Sequence, residues 1–558
     1  MQRPFPWERS YPAGVRWDAL LKAGTLPDLL DQAVRDYGDR TAIEFRDRSI
    51  SFNALGRAAE QAAAAFMRAG IGQNVSLALY LPNTPYHPIA FFGGVKTGAR
   101  IVHLSPLDAE RELAHKLKDS GARTLVTTNI GNLLRHAIKL MDAGLLDRVV
   151  VGEDDAWGPS PVPAAIVPER PGVASWKTFL AGAERPAQWP DVVPSDIVLL
   201  QYTGGTTGVP KAAVLTHANL TSALAIYEAW QEPQGLFPPG SERAICVLPL
   251  FHMYALTTIL LRHIKRGNEI LLRLRFDVET TLRDIESKRA TTFPGVPTMW
   301  IALSSFPGIE KRDLSSMANC SSGGAPLPVE VAKRFEGLTG LTLRGGWGMT
   351  ETSPAGTTLP RGAAKPGSVG IPLPGIEMDV VSLDDSSRRL PVGQTGELRI
   401  KGPNVTSGYW NRPDETAAAF ADGYFLTGDI GHMDADGYFF LIDRKKDMII
   451  SGGFNIYPQM IEQAIYEHPD VEEVLVVGVP DEYRGEAGKA FIKLRERAAV
   501  FTLEELQAFL ADKLGRHEMP QALEFRASLT RTPIGKLSKL ELRDEERRKY
   551  QADMRRHA

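Results

Sequence analysis

The chain has 558 residues, of which 43% are hydrophobic and 23% are charged, with a formal net charge of −3. That length predicts more than one domain, and the composition is typical of an ordinary globular protein. The slightly acidic balance argues against a nucleic-acid-binding protein, which normally carries a basic excess or a basic face. The two cysteines, Cys246 and Cys320, lie far apart and away from histidines at ligand spacing, which argues against a disulfide framework or a structural zinc site.

The two ends of the sequence give no targeting signal. The segment 1–18 is rich in proline, tryptophan and charge and lacks the apolar centre of a signal peptide. No apolar run reaches 18 residues, so no membrane span is expected. The last residues do not form the Ser-Lys-Leu peroxisomal signal. These features predict a cytoplasmic protein.

The first 200 residues alternate helical patterns with short apolar runs. The pattern predicts a helix over 51–69 and a strand over 75–81, and this alternation indicates α/β layering with parallel sheets. A further strand over 196–202 leads into a loop rich in glycine and threonine. After that loop, Thr216 is a candidate cap for a helix that begins at His217.

The last hundred residues differ from the preceding part of the chain in their pattern of helical segments and apolar runs. Residues 458–558 combine helical patterns with two apolar runs and predict a compact α+β unit of about 100 residues, a common domain size. The polar segment before it is a candidate hinge. We therefore expect an N-terminal domain over 1–442, a hinge over 443–447 and a C-terminal domain over 448–558. The predicted fold class is α/β, with a large N-terminal domain of α/β layered subdomains and a small α+β C-terminal domain.

The most informative stretch is the loop that follows the strand over 196–202. Glycines let the backbone approach a ligand closely, successive N–H groups can form an anion-binding concavity, and a lysine adds a mobile positive charge. This composition predicts a cradle for a triphosphate. No Gly-Lys-Ser/Thr follows, so the loop is not a Walker P-loop, and a kinase or GTPase mechanism loses its support. The candidate residues are Thr203, Gly204, Gly205, Thr206, Thr207, Gly208 and Lys211.

This loop resembles the signature of the adenylate-forming (ANL) superfamily, which includes acyl- and aryl-CoA synthetases, adenylation domains and luciferases. It departs from the signature at Gly204, where many members carry serine or threonine. The resemblance continues from about residue 25 to residue 545. It implies an AMP-forming enzyme that uses ATP, with a C-terminal domain that moves during catalysis.

The resemblance assigns roles to residues in the middle of the chain. His252, in Leu248-Pro-Leu-Phe-His252, resembles the substrate gate near the carboxylate and the thiol entrance. Amino-acid-activating members usually carry Asp at this position, so an amino acid substrate is not expected. The segments 322–327 and 346–351 resemble the loops around adenine, where Trp347 can stack on the base. The implied nucleotide residues are Gly324, Ala325, Pro326, Gly346, Trp347, Gly348 and Met349.

Polar residues in and after the second of these loops carry the implied phosphate and ribose contacts. Thr350 would reach the α-phosphate, and Glu351 is a hard oxygen ligand that suits Mg²⁺, together with Thr206 of the phosphate loop. Asp429, in Thr427-Gly-Asp429, would accept the ribose hydroxyls with two oxygens. Arg444 resembles the residue that also binds ribose.

The C-terminal motifs imply the lysine and the thiol tunnel. Lys536, in Thr532-Pro-Ile-Gly-Lys536, resembles the catalytic lysine that bridges the α-phosphate and the carboxylate. Lys446 falls on the hinge position. Gly452 and Gly453 belong to the loop that lines the coenzyme A tunnel, and Arg484 resembles a residue that holds coenzyme A phosphates. A lysine acetyltransferase acting on Lys536 would remove its charge and switch the enzyme off.

The implied reaction is the formation of an acyl-CoA from a medium- or long-chain carboxylic acid, ATP and coenzyme A, through an acyl-adenylate, with release of pyrophosphate and AMP. This reaction belongs to fatty acid metabolism. Dicarboxylate-CoA ligases acting on pimelate-like substrates are an open alternative, and a second carboxylate could then meet Arg262, Lys265 or Arg266. A stand-alone adenylation enzyme serving a carrier protein and a luciferase-like oxygenase are further alternatives. The assembly state is open, with a homodimer as one alternative.

Overall fold

The computed structural model describes residues 5–203, 210–451, 454–481, 484–532 and 535–557, with the backbone alone for 553–557. Most of the strands belong to two large, mainly parallel sheets. In chain order the strands are β1 (Thr41–Phe45), β2 (Arg48–Ser51), β3 (Ser76–Leu79), β4 (Arg100–His103), β5 (Thr124–Thr128), β6 (Arg148–Gly152), β7 (Val173–Ser175), β8 (Ile197–Thr203), β9 (Lys211–Thr216), β10 (Arg243–Cys246), β11 (Glu269–Leu272), β12 (Thr292–Gly295), β13 (Asn319–Ser322), β14 (Leu343–Trp347), β15 (Thr357–Thr358), β16 (Ile371–Pro372), β17 (Glu377–Val381), β18 (Gly396–Lys401), β19 (Phe420–Ala421), β20 (Tyr424–Met433), β21 (Phe439–Arg444), β22 (Ile449–Ser451), β23 (Phe454–Ile456), β24 (Val471–Asp481), β25 (Gly485–Leu494) and β26 (Ala522–Phe525).

Helices cover the faces of these sheets. The α-helices are α1 (Leu26–Tyr37), α2 (Phe52–Arg68), α3 (Tyr86–Lys96), α4 (Glu110–Ser120), α5 (Leu133–Asp142), α6 (Trp176–Leu180), α7 (His217–Gln231), α8 (Met253–Ala255), α9 (Arg262–Lys265), α10 (Val278–Lys288), α11 (Pro297–Ser304), α12 (Val329–Thr339), α13 (Pro413–Ala418), α14 (Pro458–Tyr466), α15 (Leu503–Leu510) and α16 (Leu540–His557). Short 3₁₀ helices cover Pro6–Ser10, Asp154–Trp157, Glu232–Gln234, Ile309–Lys311 and Thr350–Thr352, and a π-helix covers Leu256–Leu261. In the described ranges no helix is long and apolar enough to cross a membrane.

Local sequence signals explain where several helices begin. The helix predicted over 51–69 is α2, and the Ser51 hydroxyl caps it by accepting a hydrogen bond from the Ala54 N–H. Thr216 caps α7 in the same way through the Asn219 N–H, as predicted. Small and apolar side chains recur along one face of α2 and bury it.

The two large sheets share one hydrophobic core. The nine-stranded sheet has the order β16-β15-β14-β13-β12-β10-β11-β1-β2, and the seven-stranded sheet has the order β7-β6-β5-β3-β4-β8-β9. Buried side chains of both sheets and of α1, α2 and α3 form a single cluster. The parallel strands β12, β13 and β14 lie side by side, so their carboxyl ends meet at one edge, where α/β folds bind ligands.

Two smaller sheets complete the molecule. Strands β17 to β21 form an antiparallel sheet of five strands that ends at Arg444. Strands β22 to β26 form another sheet of five strands, which α14, α15 and α16 accompany in a unit that begins after the predicted hinge. The predicted fold class, a large α/β portion followed by a small α+β unit, is confirmed.

Candidate active site

A cleft of about 2730 Å³ lies between the edge of the nine-stranded sheet and the C-terminal unit. Its lining comes from sequence segments that are hundreds of residues apart. Most of the predicted site residues line it, namely Thr203, Lys211, His252, Gly324, Ala325, Pro326, Gly346, Trp347, Gly348, Met349, Thr350, Glu351, Asp429, Arg444, Lys446 and Lys536. The fold therefore brings the motifs of both domains to one place.

Some predicted residues cannot be located in this way. Those outside the described residues are Gly204, Gly205, Thr206, Thr207, Gly208, Gly452 and Gly453. Both flanks of the phosphate loop are described, because β8 ends at Thr203 and β9 begins at Lys211, paired with it. Arg484 is not among the residues that line the cleft. It lies at the turn before β25, next to the position where Gly485 pairs with Ser451, the residue before the predicted thiol-tunnel glycines.

The Asp429 carboxylate is held between two donors. The indole N–H of Trp347 donates to Oδ2 at 2.7 Å, and Nε of Arg444 lies 3.0 Å from Oδ1. Asp429 and Arg444 face each other across β20 and β21, which explains how two motifs 15 residues apart meet. Such fixed oxygens with remaining lone pairs can accept hydrogen bonds from a diol. The bond from Trp347 was not expected from the sequence, which indicated only that its ring could stack.

Lys536 reaches the cleft across the surface of Gly324. A Cβ atom added to Gly324 would lie 2.4 Å from Cε and 2.9 Å from Nζ of Lys536, so the lysine stem occupies the place of a side chain. Gly324 also has a φ of +80°, which favours glycine. The predicted adenine loop and the predicted catalytic lysine are thus in direct contact.

A hydrogen bond joins the lysine loop to the large domain. The Thr298 hydroxyl, in the first turn of α11, donates to the Gly535 carbonyl at 2.8 Å. The loop itself closes through the Thr532 N–H, which donates to the Lys536 carbonyl at 2.7 Å. Thr298 was missed from the sequence, because nothing in Pro297-Thr298 indicates a partner so far along the chain.

The environment of Lys536 weakens its hold on a proton. Burial and the nearby positive charge of Arg444 lower the pKa of Lys536 to about 7, against the opposing effect of Asp429. A negatively charged ligand in the cleft would favour the protonated form. This site therefore suits a lysine that gains its full charge when an anion binds.

His252 is a neutral imidazole in the cleft. Burial and the proximity of Lys536 lower the pKa of His252 to about 3. Its Nδ1 accepts a hydrogen bond from the Tyr254 N–H at 3.2 Å, which places the ring proton on Nε2. His252 thereby caps α8, and the π-helix Leu256–Leu261 follows directly. Such π-helical turns often occur at functional sites.

Glu351 and Lys211 meet through a residue that the sequence analysis missed. The Tyr409 hydroxyl donates to Oε1 of Glu351 at 3.0 Å, and Nζ of Lys211 lies 4.1 Å from the centre of the Tyr409 ring. Lys211 also pairs with Glu415 at 3.0 Å. Burial raises the pKa of the Glu351 carboxyl, while Tyr409 and the nearby cations oppose that shift. The aromatic pair Tyr409-Trp410 is the only sequence signal that could have indicated this link.

In the turn from Gly346 to Glu351, the glycine at position 348 is required for a steric reason. A Cβ on Gly348 would lie 1.5 Å from the Pro354 carbonyl oxygen, so only glycine fits there. The turn leads into the 3₁₀ helix Thr350–Thr352, which places Thr350 and Glu351 at the cleft.

The predicted hinge is tied to the last helix. Arg543, on α16, lies 2.8 Å from Oδ1 of Asp447 and donates to the Lys446 carbonyl at 3.3 Å. On the other side, Nζ of Lys445 lies 2.8 Å from Oε2 of Glu397, on β18. Neighbouring hinge residues are thus held by opposite domains.

Arg262, Lys265 and Arg266 are the basic residues that could meet a second carboxylate, and the structure gives them different surroundings. Lys265 pairs with Glu228 at 2.5 Å, and Arg266 lies 3.2 Å from Glu232. Arg262 alone of the three lines the cleft.

Comparisons with known proteins agree with this site. Residues 30–410 match the family described as AMP-binding enzyme, and residues 460–536 match its C-terminal domain. A long-chain-fatty-acid–CoA ligase of Bacillus subtilis (strain 168) is 36% identical over 560 residues, which cover 98% of this chain and 99% of that protein. A long-chain-fatty-acid–CoA ligase of Escherichia coli O6:H1 is 35% identical over 562 residues, covering 97% and 98% of the two chains.

A solved structure gives the same result at the level of the fold. The ATP-bound MatB of Rhodopseudomonas palustris superposes with a TM-score of 0.83 at 28% identity, covering 93% of this chain and 98% of that one. The family match covers more than half of the chain, and the relatives align over nearly all of it. The chain therefore belongs to the AMP-binding enzyme family, the adenylate-forming superfamily that its motifs resemble.

Proposed function

We propose that this protein is an ATP-dependent acid–thiol ligase that converts a medium- or long-chain carboxylic acid into its acyl-CoA. The observation that carries the proposal is the contact of Lys536 with Gly324, in the cleft that Arg444 and His252 also line. The full-length similarity to long-chain-fatty-acid–CoA ligases supports the same reaction.

In the first half-reaction, a carboxylate oxygen of the acid attacks the α-phosphorus of ATP. A new O–P bond forms, the bond to the bridging oxygen breaks, and pyrophosphate leaves with the electron pair. Negative charge crowds at the α-phosphate, and positioned cations stabilise it. Lys536 and Lys211 supply these charges, Thr350 is the hydroxyl donor, and neutral His252 orients the carboxylate through its Nε2–H.

The nucleotide would lie along the edge of the nine-stranded sheet. Asp429 and Arg444 would bind the ribose. Trp347 would stack on the base, and its N–H holds the Asp429 carboxylate in place through a hydrogen bond. The backbone segments 324–326 and 346–349 meet the adenine, and the loop 203–208 with Lys211 cradles the phosphates. These roles are assignments of this proposal, and ATP binding is supported by the ATP-bound structure of the similar MatB.

A magnesium ion fits the donor set at this site. Glu351 offers a buried carboxylate beside Lys211, and Thr206 of the phosphate loop offers a hydroxyl. Mg²⁺ prefers hard oxygen donors and usually binds one or two protein groups with substrate phosphates. When bound, the ion would neutralise phosphate charge.

The second half-reaction transfers the acyl group to coenzyme A. The thiolate sulfur attacks the acyl carbonyl and forms a C–S bond, the bond between the acyl carbon and the phosphate oxygen breaks, and AMP leaves with the electron pair. We propose that the C-terminal domain, 448–558, turns about the hinge 443–447 at Lys446 between the two steps. Gly452 and Gly453 would then line the thiol tunnel, and Arg484 would hold the coenzyme A phosphates. Arg484 precedes Gly485, which pairs with Ser451, the last described residue before the 452–453 segment, and this supports a shared role.

Control by acetylation of Lys536 is a further part of the proposal. An acetyl group would remove the charge and enlarge a side chain that already contacts Gly324. Enzyme acetylated at this residue, confirmed by mass spectrometry, should therefore lose acyl-adenylate formation. Normal adenylation by the acetylated protein would contradict this part. A homodimer and a cytoplasmic location remain predictions.

The function is tested by one panel of assays on the purified protein. We expect acid-dependent exchange between ATP and pyrophosphate, followed by AMP release that requires coenzyme A, with mono- and dicarboxylic acids of 4 to 18 carbons. Turnover without coenzyme A would instead favour a carrier-serving adenylation enzyme or an oxygenase.

A further inference from the structure

The strands of the nine-stranded sheet give the acid pocket two ends. The carboxyl ends of β12, β13 and β14 carry the proposed adenylate loops, so the amino ends of the same strands form the opposite end. Ser321 pairs with Arg344 across β13 and β14, so their side chains lie on the same face of the sheet. Asn319 is two residues before Ser321 and shares that face, and all three line the cleft.

Arg344 is a half-buried cation with no ion-pair partner among the described residues. In the ranges that the structure describes, no carboxylate lies within ion-pair distance of its guanidinium, and it makes no hydrogen bond there. Burial lowers the pKa of Arg344, although the group stays charged at neutral pH. Buried charges are normally paired, because an unpaired one loses hydration without compensation.

Arg361 is an exposed cation at the same end of these strands, and it also lines the cleft. Its guanidinium carbon lies 5.1 Å from the centre of the Phe237 ring, and Nη2 donates to the Ala318 carbonyl at a long 3.4 Å. The contact with Ala318, one residue before β13 begins, places Arg361 at the amino end of that strand, beside the β13–β14 pair that carries Arg344. Partial burial and the positive charge of Arg344 lower the pKa of Arg361, and Glu242 opposes that shift. Among the described side chains Arg361 has no ion pair.

Arg262 adds a third guanidinium, and its charge is already balanced. Glu242 lies 2.8 Å from Nη2 of Arg262, and the same carboxylate accepts hydrogen bonds from Thr292 and Asn268. Among the described residues Glu242 forms no ion pair with Arg344 or Arg361, although its charge raises the pKa of Arg361. Nε of Arg262 is buried and has no hydrogen-bond partner. Because this nitrogen is buried, it lies behind the pocket wall and is not open to a ligand.

Between this end and the adenylate loops the wall is partly apolar. Tyr227, Leu236, Phe237 and Leu359 line the cleft and suit a methylene chain. From Ser322 to Asn319 the strand rises three residues, which corresponds to roughly 10 Å at about 3.3 Å per residue. A chain of medium length would therefore bring its far end to the arginines.

We propose that Arg344 and Arg361 bind a second carboxylate, so that the preferred acid is a medium-length α,ω-dicarboxylic acid. Guanidinium groups bind carboxylates through paired hydrogen bonds, which explains a cluster of arginines at the end of an otherwise apolar pocket. This inference rests on the proposed ligase function, because it assigns the far end of the same substrate.

The test compares matched acids on wild-type protein and on arginine variants. We would measure kcat/KM for coenzyme A-dependent AMP release with dicarboxylates of six to ten carbons and with monocarboxylates of equal length. The variants are Arg344→Gln, Arg361→Gln and the charge-retaining Arg344→Lys. Arg57→Gln is the control, because Arg57 is exposed on α2 and does not line the cleft.

The ratio of dicarboxylate to monocarboxylate kcat/KM should fall at least tenfold in each glutamine variant and less in Arg344→Lys, and the control should keep the wild-type ratio. Arg361 is exposed, so its variant reports on binding even if Arg344→Gln fails to fold. An unchanged ratio in Arg361→Gln, or wild-type protein that turns over monocarboxylates and no dicarboxylate, would overturn the distal site. Absence of acid-dependent ATP–pyrophosphate exchange with every acid would instead overturn the ligase function itself.

Discussion

At Gly324 the missing side chain makes room for Lys536. The lysine belongs to the last tenth of the sequence, and the glycine belongs to a loop of the large domain. Because the contact is so close, the identity of residue 324 decides whether the lysine can reach the cleft. This link could not be predicted from either motif, since each was interpreted by itself as a nucleotide loop or a lysine loop.

We predict that Gly324→Ala lowers the rate of acyl-adenylate formation at least tenfold. The added methyl group would overlap the Lys536 stem, and alanine is strained at a φ of +80°. ATP–pyrophosphate exchange measures the effect. Gly337→Ala is the matched control, because Gly337 lies in α12 with nothing within 4 Å of an added Cβ. The prediction is wrong if both variants exchange at the wild-type rate.

A second prediction at the residue scale concerns pH. The pKa of Lys536 is lowered to about 7, so the free enzyme loses the positive charge as the pH rises through this value. We expect kcat/KM for ATP to fall above about pH 7, because this parameter reports the ionisation of the free enzyme. The corresponding fall in kcat should occur at higher pH, since bound ATP favours protonated lysine. A flat kcat/KM profile between pH 6 and 9.5 would count against a catalytic Lys536.

At the scale of elements, α11 holds the lysine loop. Thr298→Val keeps the shape of the side chain but removes the donor to the Gly535 carbonyl. Loss of one hydrogen bond of about 0.5–1.5 kcal/mol should lower the adenylation rate by roughly two- to tenfold. Thioester formation from supplied acyl-adenylate serves as the internal control and should not change. Equal effects on both steps would show that Thr298 only supports folding.

The elements themselves were largely predictable, since caps and periodicity are local. The helix α2 covers Phe52–Arg68, within the predicted range 51–69, and β8 covers Ile197–Thr203, where a strand over 196–202 is predicted. The predicted ends of helices and strands were less accurate where no capping residue marks them. The strand predicted over 75–81 is shorter in the structure, Ser76–Leu79. The π-helix Leu256–Leu261 has no signal in its apolar sequence.

Contacts between elements were the part that the sequence could not supply. The motifs located Asp429, Arg444 and Glu351, but the hydrogen bonds to them from Trp347 and Tyr409 depend on how distant strands pack. Arg344 stands in an ordinary strand pattern, and only the pairing of β13 with β14 shows that it faces the cleft. The resemblance to the family indicated which residues belong to the site, whereas only the tertiary packing shows which other side chains contact them.

At the scale of the whole molecule, the proposed mechanism requires one lysine to serve only one half of the reaction. Lys536 reaches the cleft from the C-terminal unit, and the neighbouring hinge residues Lys445 and Asp447 are bound to opposite domains. Such an arrangement suits a domain that presents the lysine for adenylation and the 452–453 loop for thiol transfer. It makes the two half-reactions separable by mutation.

The most direct measurement is therefore on Lys536→Ala, with the two half-reactions assayed separately. Acyl-adenylate formation from acid and ATP should be lost, because the charge beside the α-phosphate is gone. Thioester formation from supplied acyl-adenylate and coenzyme A should continue at a rate close to that of the wild type. Equal loss of both half-reactions, or normal adenylation, would contradict the central claim.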